Sequence, residues 1–342
     1  MALAQVYRRF GETTGALYGR IATALSESDD ALRAIETAPA RHRHPTVILA
    51  ALHDLALAGR APALAAAYAA ADGEAAAAID TLLHMTDAVV AVAVRRKPLT
   101  ETGRAAVLYP AIAEAAHRLG ARRIGVIDVG HPAGLNLTVD RVGITYSNGQ
   151  SLGDPSAPVR HSASIVGDRP VPAHAMPEVV ARVTIDRDPL DVTDADDARW
   201  LRACIAPDQR EQRAMLDAEL ALSATSPPLP LRGDAVDVLP DALARVPADA
   251  LPVVTTTWAL SGFPLENRLR FLQRLDEGAT DRPVAWVSAE GVGVAPAIPT
   301  FGDRHASGHS IIGLAVFTHS GLDAEAVGRC WSRGRMLAWL AE

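Results

Sequence analysis

The stretch that decides the fold is "IGVIDVGHPAGLNLTVDR", residues 124–141. Its first half is a short apolar run rich in β-branched residues, which is typical of a fully buried strand. The run ends in Asp128, and a turn with two glycines, Gly130 and Gly134, leads to Asn136, where a helix is expected to open. Ligands of doubly wound sheets bind at such turns, outside the carboxyl ends of the strands. The stretch therefore predicts the first strand and the ligand-binding turn of an α/β domain.

The same turn contains two residues that are unusual beside a bound cofactor. Pro132 has no backbone N–H to donate to a ligand, and His131 adds bulk and a titratable ring. Three interpretations stay open from these residues: a working cofactor loop, an altered cofactor loop, or only a tight turn.

Short apolar runs alternate with helical segments downstream of this turn. Further strands are predicted at residues 181–186, 229–234, 251–258 and 282–291, and two more at residues 310–319 and 334–340. Strands that alternate with helices predict a parallel sheet with right-handed crossovers. The expected α/β fold is a mostly parallel, Rossmann-like sheet of seven strands that closes with an antiparallel hairpin.

The chain is predicted to have two domains. Residues 1–118 have apolar residues at three- and four-residue spacing, as in "VILAALHDLALAG" at residues 47–59, and they predict an all-α N-terminal domain. This domain is expected to cover the pocket as a lid, and residues 119–342 are expected to form the Rossmann-like domain. The segment at about 143–177 is rich in Gly, Pro and Ser, which indicates an inserted hairpin or loop between the first two strands.

The composition excludes several classes of function. The chain has 342 residues and a net charge of −7, which gives no electrostatic footprint for nucleic acid. Its two cysteines, Cys204 and Cys330, form neither a disulfide framework nor a zinc pattern, and no metal site is expected. No signal peptide and no apolar run of membrane-spanning length are visible. We therefore expect a soluble cytoplasmic protein with no nucleic-acid or membrane partner, and a homodimer is left open.

Acidic residues stand at the ends of several predicted strands. Asp128 ends the first strand, Asp186 ends the second, Asp234 follows the third, and Glu290 ends the fifth. Paired carboxylate oxygens accept hydrogen bonds from a ribose diol, and a further carboxylate accepts from an exocyclic amine. The pattern indicates a nucleoside-like ligand. The alternative is that these residues only shape turns and cap helices.

The order of strands, acidic ends and closing hairpin resembles the class I S-adenosylmethionine-dependent methyltransferase fold. Within it, the blocks "DVGHPAGLNLTVDR", "RGDAVDVLP" and "WVSAEG" are similar to a bacterial family defined as a domain of unknown function, number 2332. The resemblance implies S-adenosylmethionine as the cofactor. The residues that it assigns to cofactor binding are Asp128, Gly130, His131, Gly134, Asn136, Asp186 and Asp234.

Each part of this assignment has its own role. The glycines and Asn136 are expected at the amino-acid end of the cofactor, Asp186 at the ribose hydroxyls and Asp234 at the adenine amine. The chain departs from the family at the turn, where "GHPAG" at residues 130–134 replaces small residues, roughly G-A-S-A-G. This departure is the basis for interpreting the turn as altered.

Five residues are candidates for catalysis. Glu101 and Arg104 are three apart at an expected helix start, where they form either a pocket ion pair or a surface pair. His53 lies in an apolar helical run, as either a base or a core histidine. Trp258 and Glu290 stand at strand ends, where each either borders the substrate or packs in the core. The base candidates are Glu101, His53 and Glu290, in falling order.

The leading expectation is methyl transfer from S-adenosylmethionine to a small molecule. Such a reaction depends mainly on positioning, with a base where the nucleophile is poorly acidic. Two alternatives remain: a non-catalytic member that binds a ligand or partner in the same cleft, and an enzyme that uses the pocket for an elimination or cyclisation. Fold by itself does not separate the three, because function depends on the site.

Overall fold

The computed structural model describes residues 2–95, 98 and 104–341. Its helices are α1 (Leu3–Thr13), α2 (Ala16–Glu27), α3 (Asp29–Glu36), α4 (Pro45–Leu57), α5 (Pro62–Ala70), α6 (Glu74–His84), α7 (Thr86–Arg95), α8 (Ala105–Arg118), α9 (Ala195–Ala203), α10 (Arg210–Ala224), α11 (Ala235–Ala244) and α12 (Leu265–Gly278). Its strands are β1 (Arg123–Val129), β2 (Gly143–Tyr146), β3 (Ser151–Gly153), β4 (Arg160–Ile165), β5 (Glu178–Asp186), β6 (Leu229–Arg232), β7 (Leu251–Thr257), β8 (Val284–Gly291), β9 (Ser310–Thr318), β10 (Gly321–Trp331) and β11 (Met336–Trp339).

The chain divides into two units. The first comprises Met1–Thr100 and Thr193–Asp217, and the second comprises Glu101–Val192 and Ala218–Glu342. The predicted boundary lay at residue 118, whereas this division assigns α8 to the second unit and α9 to the first. The reason for the position of α8 is packing, because this helix contacts β8 and β9 of the sheet and is buried from Ala105 to Ala116.

Helix α4 forms the centre of the first unit. Pro45 occupies its first turn, where a missing N–H costs nothing, and the helix is apolar on all sides, which is typical of an interior helix. Its buried residues pack with side chains of α1, α2, α3, α6 and α7 in one apolar cluster. The prediction that the N-terminal region is helical is confirmed by α1–α8.

The second unit contains an eleven-stranded sheet with the order β3-β2-β4-β11-β10-β9-β8-β7-β1-β5-β6. Strands β6, β5, β1, β7 and β8 are parallel neighbours. Numbered by their sequence order, these five strands have the order 3-2-1-4-5, which is the doubly wound arrangement. The strand order reverses between β1 and β7, and this reversal is the switch point at which ligands of such sheets bind.

The other half of the sheet differs from the expected seven strands. Strands β8, β9, β10 and β11 pair antiparallel in succession, so the closing hairpin is part of a longer meander. The inserted segment contributes β2, β3 and β4, and β4 pairs with β11. The mostly parallel α/β sheet is therefore confirmed, while the specific seven-stranded methyltransferase sheet is not.

The turn after β1 does not open an α-helix. Residues Leu135–Arg141 form a 3₁₀ helix, and β2 begins at Gly143. Seven residues leave little room for an α-helix, and the β-branched pair Thr138 and Val139 disfavours one. The expectation that Asn136 opens a helix is thus wrong, and the turn lacks the aligned N–H groups of a long helix.

The lengths and compositions of the helices bear on the expectation that the chain has no membrane-spanning segment. No single helix in residues 2–95 and 104–341 is long and apolar enough to cross a membrane. The pairs α4 with α5 and α6 with α7 reach that length and composition only together, and they are bent by 100° and 92°.

Candidate functional site

A group of buried polar side chains lies in the second unit at the switch point. Asp128 is the penultimate residue of β1, Trp258 directly follows β7, and Glu290 is the penultimate residue of β8. Arg104 directly precedes α8, and His131 lies in the turn after β1. We call these five residues the switch-point cluster.

Asp128 is fully buried and accepts two side-chain hydrogen bonds. Asn136 Nδ2 donates to one carboxylate oxygen at 2.9 Å, and Thr255 Oγ1 donates to the other at 2.8 Å. Burial raises the pKa of Asp128 to about 6, although the hydrogen bonds and the nearby Arg104 guanidinium oppose the rise. Asp128 therefore changes its charge close to neutral pH.

Arg104 is the cation of this cluster, and its side chain is almost completely buried. Its Nη1 donates to the carbonyl oxygen of Thr257 at 3.0 Å and also to the hydroxyl of the same residue. Its guanidinium lies over the ring of Trp258, 5.2 Å from the ring centroid. Burial lowers the pKa of Arg104, and the carboxyls of Asp128 and Glu290 oppose this shift.

Trp258 holds a backbone conformation that large residues rarely adopt. Its φ is +56°, in the left-handed region, where a bulky residue is strained by about 1–3 kcal/mol. The indole Nε1 donates to Ser310 Oγ at 2.8 Å, and the backbone N–H donates to the Ala289 carbonyl at 2.9 Å. These contacts fix the strained residue at the end of β7, and residues in such conformations cluster at functional sites.

Glu290 anchors the segment after Trp258. Its Oε1 accepts hydrogen bonds from the backbone N–H groups of Ala259 at 3.0 Å and Leu260 at 3.1 Å. Its side chain is fully buried, and burial raises the pKa of Glu290 to about 7 against the effect of these hydrogen bonds. At neutral pH this carboxyl is therefore divided between its protonated and ionised forms.

His131 is buried without hydrogen bonds to its ring. Neither ring nitrogen has a partner among the described residues, and the side chain is 1% exposed. Burial and the nearby Arg104 guanidinium together lower the pKa of His131 to about 3. The ring is thus neutral and offers one N–H and one lone pair, each of which costs about 1–3 kcal/mol when buried unpaired.

The other residues of the predicted cofactor site have local structural roles. Gly130 and Gly134 have φ of +81° and +60°, so the turn needs glycine for conformational reasons. Asp186 accepts a hydrogen bond from the Asp188 N–H at 2.8 Å. Asp234 is the N-cap of α11, accepting from the Val236 N–H at 3.0 Å.

Asp234 also has a charged partner. Arg187 Nη2 lies 2.6 Å from its carboxylate, and this hydrogen bond lowers the pKa of Asp234. The residue predicted to accept from an adenine amine is thus engaged by a helix N-terminus and an arginine. The interpretation that acidic strand ends cap helices applies at this position.

The candidate base His53 does not belong to the cluster. His53 lies on α4 of the first unit, with Nδ1 3.2 Å from the Ala203 carbonyl and Nε2 3.2 Å from Nη2 of Arg213. Both ring nitrogens are engaged, and burial lowers the pKa of His53 to about 4, which fits the core-histidine interpretation. Glu101 lies outside the described residues.

Sequence reasoning missed the hydroxyl groups that surround the cluster. Thr255 and Thr257 bind Asp128 and Arg104, Ser310 binds Trp258, and Thr184 Oγ1 donates to the His131 carbonyl at 2.8 Å. The run "TTT" at residues 255–257 was a usable signal, because three hydroxyls in a fully buried strand need partners. Ser310 and Thr184 carried no such signal.

The described residues provide no group of three or more His, Cys, Asp or Glu side chains that could hold a metal ion. Cys204 and Cys330 are not joined in a disulfide bond. The chemistry available at the switch point is therefore that of two carboxyls titrating near neutrality, one buried arginine and one neutral imidazole.

The family model described as an uncharacterized protein conserved in bacteria, DUF2332, matches residues 4–339. The chain belongs to this family. The match extends over both units, so the switch-point cluster and the helical unit are parts of one family architecture. No curated protein matches the chain.

Proposed function

We propose that the second unit is an enzyme domain that binds a small molecule at the switch point and moves a proton to or from it. The observation that carries the proposal is the switch-point cluster, which places two carboxyls with pKa values of about 6 and 7 beside one buried arginine. Strongly perturbed carboxyls at the carboxyl ends of parallel strands are typical of functional sites. An elimination or a cyclisation is a reaction of this class.

Glu290 is the proposed proton carrier. A general acid or base is most effective when its pKa lies close to the working pH, and Glu290 meets this condition at about 7. Arg104 has a supporting role, since its charge opposes the effect of burial on both carboxyls. The strained Trp258 is proposed to border the substrate.

The test compares turnover by wild-type protein and Glu290→Gln. Each protein is incubated with a bacterial small-molecule extract, and mass spectrometry follows which compounds decrease and which appear. We expect at least one conversion with wild-type protein that is about a hundredfold slower with Glu290→Gln. Glu266→Gln, which changes an exposed carboxyl on α12, is the matched control and should match wild type.

Two outcomes would contradict this proposal. One is a conversion that proceeds equally fast with wild-type protein and Glu290→Gln, because it would show that Glu290 moves no proton. The other is the absence of any conversion by folded wild-type protein, which would favour a non-catalytic binding site.

The geometry of the turn after β1 bears on S-adenosylmethionine as a cofactor. A Cβ atom on Gly130 would lie 2.7 Å from the Ala259 Cβ, and one on Gly134 would lie 2.9 Å from Pro228 Cγ. The space beside both glycines is thus occupied by protein, and Asp234 is engaged by α11 and Arg187. The two glycines and Asp234 are therefore not open to the contacts with the cofactor that the resemblance assigns to them.

A specific observation nevertheless favours methyl transfer as a second candidate. Asp128 lies at the end of β1, and Asp186 lies at the end of the neighbouring parallel strand β5. This is the placement that the resemblance assigns to the ribose and amino-acid ends of S-adenosylmethionine. The methyl acceptor would again be a small molecule.

Calorimetry and thermal unfolding with S-adenosylmethionine and S-adenosylhomocysteine test the second candidate. Binding predicts a rise in unfolding temperature with either compound and its loss in Asp186→Ala. A compound present at about a hundred times its dissociation constant stabilises the folded state by about 2.7 kcal/mol. No stabilisation by either compound at millimolar concentration would eliminate methyl transfer from this cofactor.

A further inference from the structure

The charges around the switch point do not balance. Among the described residues of the cluster, Arg104 supplies the positive charge, and Asp128 and Glu290 supply two acidic groups that interact with it. Asp186 adds a third carboxyl, which lies close enough to Asp128 to raise the pKa of that residue. Three carboxyls therefore face two guanidinium groups, because Asp186 also interacts with Arg187.

A second, independent feature is the unpartnered ring of His131. Whichever nitrogen carries the proton, the neutral ring retains one lone pair that accepts no hydrogen bond from the described residues. Native structures rarely leave a buried polar atom without a partner, and such an atom commonly faces a ligand or an ordered water. The cluster thus combines surplus negative charge with a free acceptor.

We propose that the switch point binds the ammonium group of a small primary amine. An ammonium is compact and has three N–H donors, which match the His131 lone pair and the carboxylates of Asp128 and Asp186. Its charge offsets the surplus of acidic groups, and a charged donor makes hydrogen bonds roughly twice as strong as a neutral one. The inference rests on the proposed location of the site and specifies the class of its substrate.

The charge of the cluster distinguishes this ligand from its alternatives. An anion would meet two or three carboxyls at short range, and its binding would require them to take up protons. A neutral hydroxyl compound could bind His131 but would leave the charge surplus unchanged. The amine also fits the proposed chemistry, because Glu290 can accept the proton that an ammonium must lose before its nitrogen becomes a nucleophile.

Three small two-carbon probes test the proposal: ethylammonium, ethanol and acetate. Thermal unfolding of the full chain is measured with each probe up to about 100 mM, at constant ionic strength. We expect ethylammonium to raise the unfolding temperature in a saturable way and the other two probes to leave it unchanged. In His131→Phe and Asp186→Asn the apparent affinity for ethylammonium should fall by about tenfold.

Asp186→Asn keeps the test valid if His131→Phe does not fold, because Asp186 is only partly buried. Asp241→Asn removes one carboxylate from the exposed surface of α11 and should bind ethylammonium like wild type. The proposal is overturned if acetate or ethanol stabilises as strongly as ethylammonium. It is equally overturned if no probe stabilises the wild-type protein, or if the effect of ethylammonium survives in both site variants. The extract experiment above judges proton transfer separately.

Discussion

At the scale of single residues, the two buried histidines His53 and His131 show how one residue type serves two purposes. His53 has both ring nitrogens hydrogen-bonded, to Ala203 and Arg213. His131 has neither nitrogen hydrogen-bonded, although it is equally buried. A satisfied ring stabilises its surroundings, whereas an unsatisfied one costs stability and is retained for another reason.

This contrast leads to a prediction for the two phenylalanine variants. We expect His131→Phe to raise the free energy of unfolding by about 1 kcal/mol or more, because it removes two unpaired polar atoms and keeps the ring. We expect His53→Phe to lower it by about 1–3 kcal/mol, because the Ala203 carbonyl loses its donor. Urea unfolding of both variants measures the difference, and an equal loss of stability in the two would contradict this account of His131.

Glu290 determines part of the pH dependence of stability. The pKa of Glu290 in the folded state, about 7, lies above its ordinary value of 4.5. Between these two pH values the native state therefore holds a proton that the unfolded state has already released. The unfolded state therefore gains relative stability as the pH rises through this window. This change of stability with pH is opposite in sign to that of a carboxylate in a salt bridge, whose lowered pKa makes the folded state more stable as the pH rises.

Glu290→Gln should remove this contribution. The glutamine oxygen can still accept from Ala259 and Leu260, but the side chain no longer titrates. We expect the variant to gain stability relative to wild type as the pH rises from about 5 to 8, by up to about 3 kcal/mol. Denaturant unfolding at both ends of the range checks this, and a difference between the two proteins that does not change with pH would contradict it.

At the scale of elements, Asp234 at the start of α11 has a helix-capping role, which the sequence offered only as the alternative to ligand binding. Asp234 caps the helix and pairs with Arg187. We expect Asp234→Ala to cost about 1 kcal/mol and Asp234→Asn to cost less, because asparagine caps helices about as well as aspartate. Thermal unfolding separates the two, and equal costs would show that the charge of Asp234 matters more than its cap.

The sequence predicted the parallel half of the sheet well. Predicted strands at residues 181–186, 251–258 and 282–291 agree with β5, β7 and β8 within a few residues. The agreement is good because continuous runs of β-branched residues are typical of parallel strands that are buried on both faces. Strand β10 was missed, since "GLDAEAVGRCW" begins with exposed residues and contains helix-favouring Ala and Glu. The 3₁₀ helix after β1 was missed because periodicity does not reveal the length of a short helix.

At the scale of the whole molecule, the switch-point cluster is a product of topology. Arg104, Asp128 and Glu290 come from three distant segments. The order β1-β7-β8 brings the strand ends that carry Asp128 and Glu290 to one edge of the sheet, and Arg104 directly precedes α8. Sequence reasoning named all three residues, Asp128 and Glu290 at predicted strand ends and Arg104 at an expected helix start. It could not show that Arg104 is buried beside both carboxyls, since that depends on how α8 packs on the sheet.

The central claim is that this topology keeps the pKa values of the switch-point carboxyls near 7. Infrared difference spectroscopy during a pH titration measures the protonation of these carboxyls directly. A protonated carboxyl has its own carbonyl band, separate from the bands of the carboxylate. We expect a band that disappears with a midpoint near pH 7, that is missing in Glu290→Gln and that is retained in Glu266→Gln. A Glu290 band that disappears near its ordinary pKa of 4.5 would contradict the account.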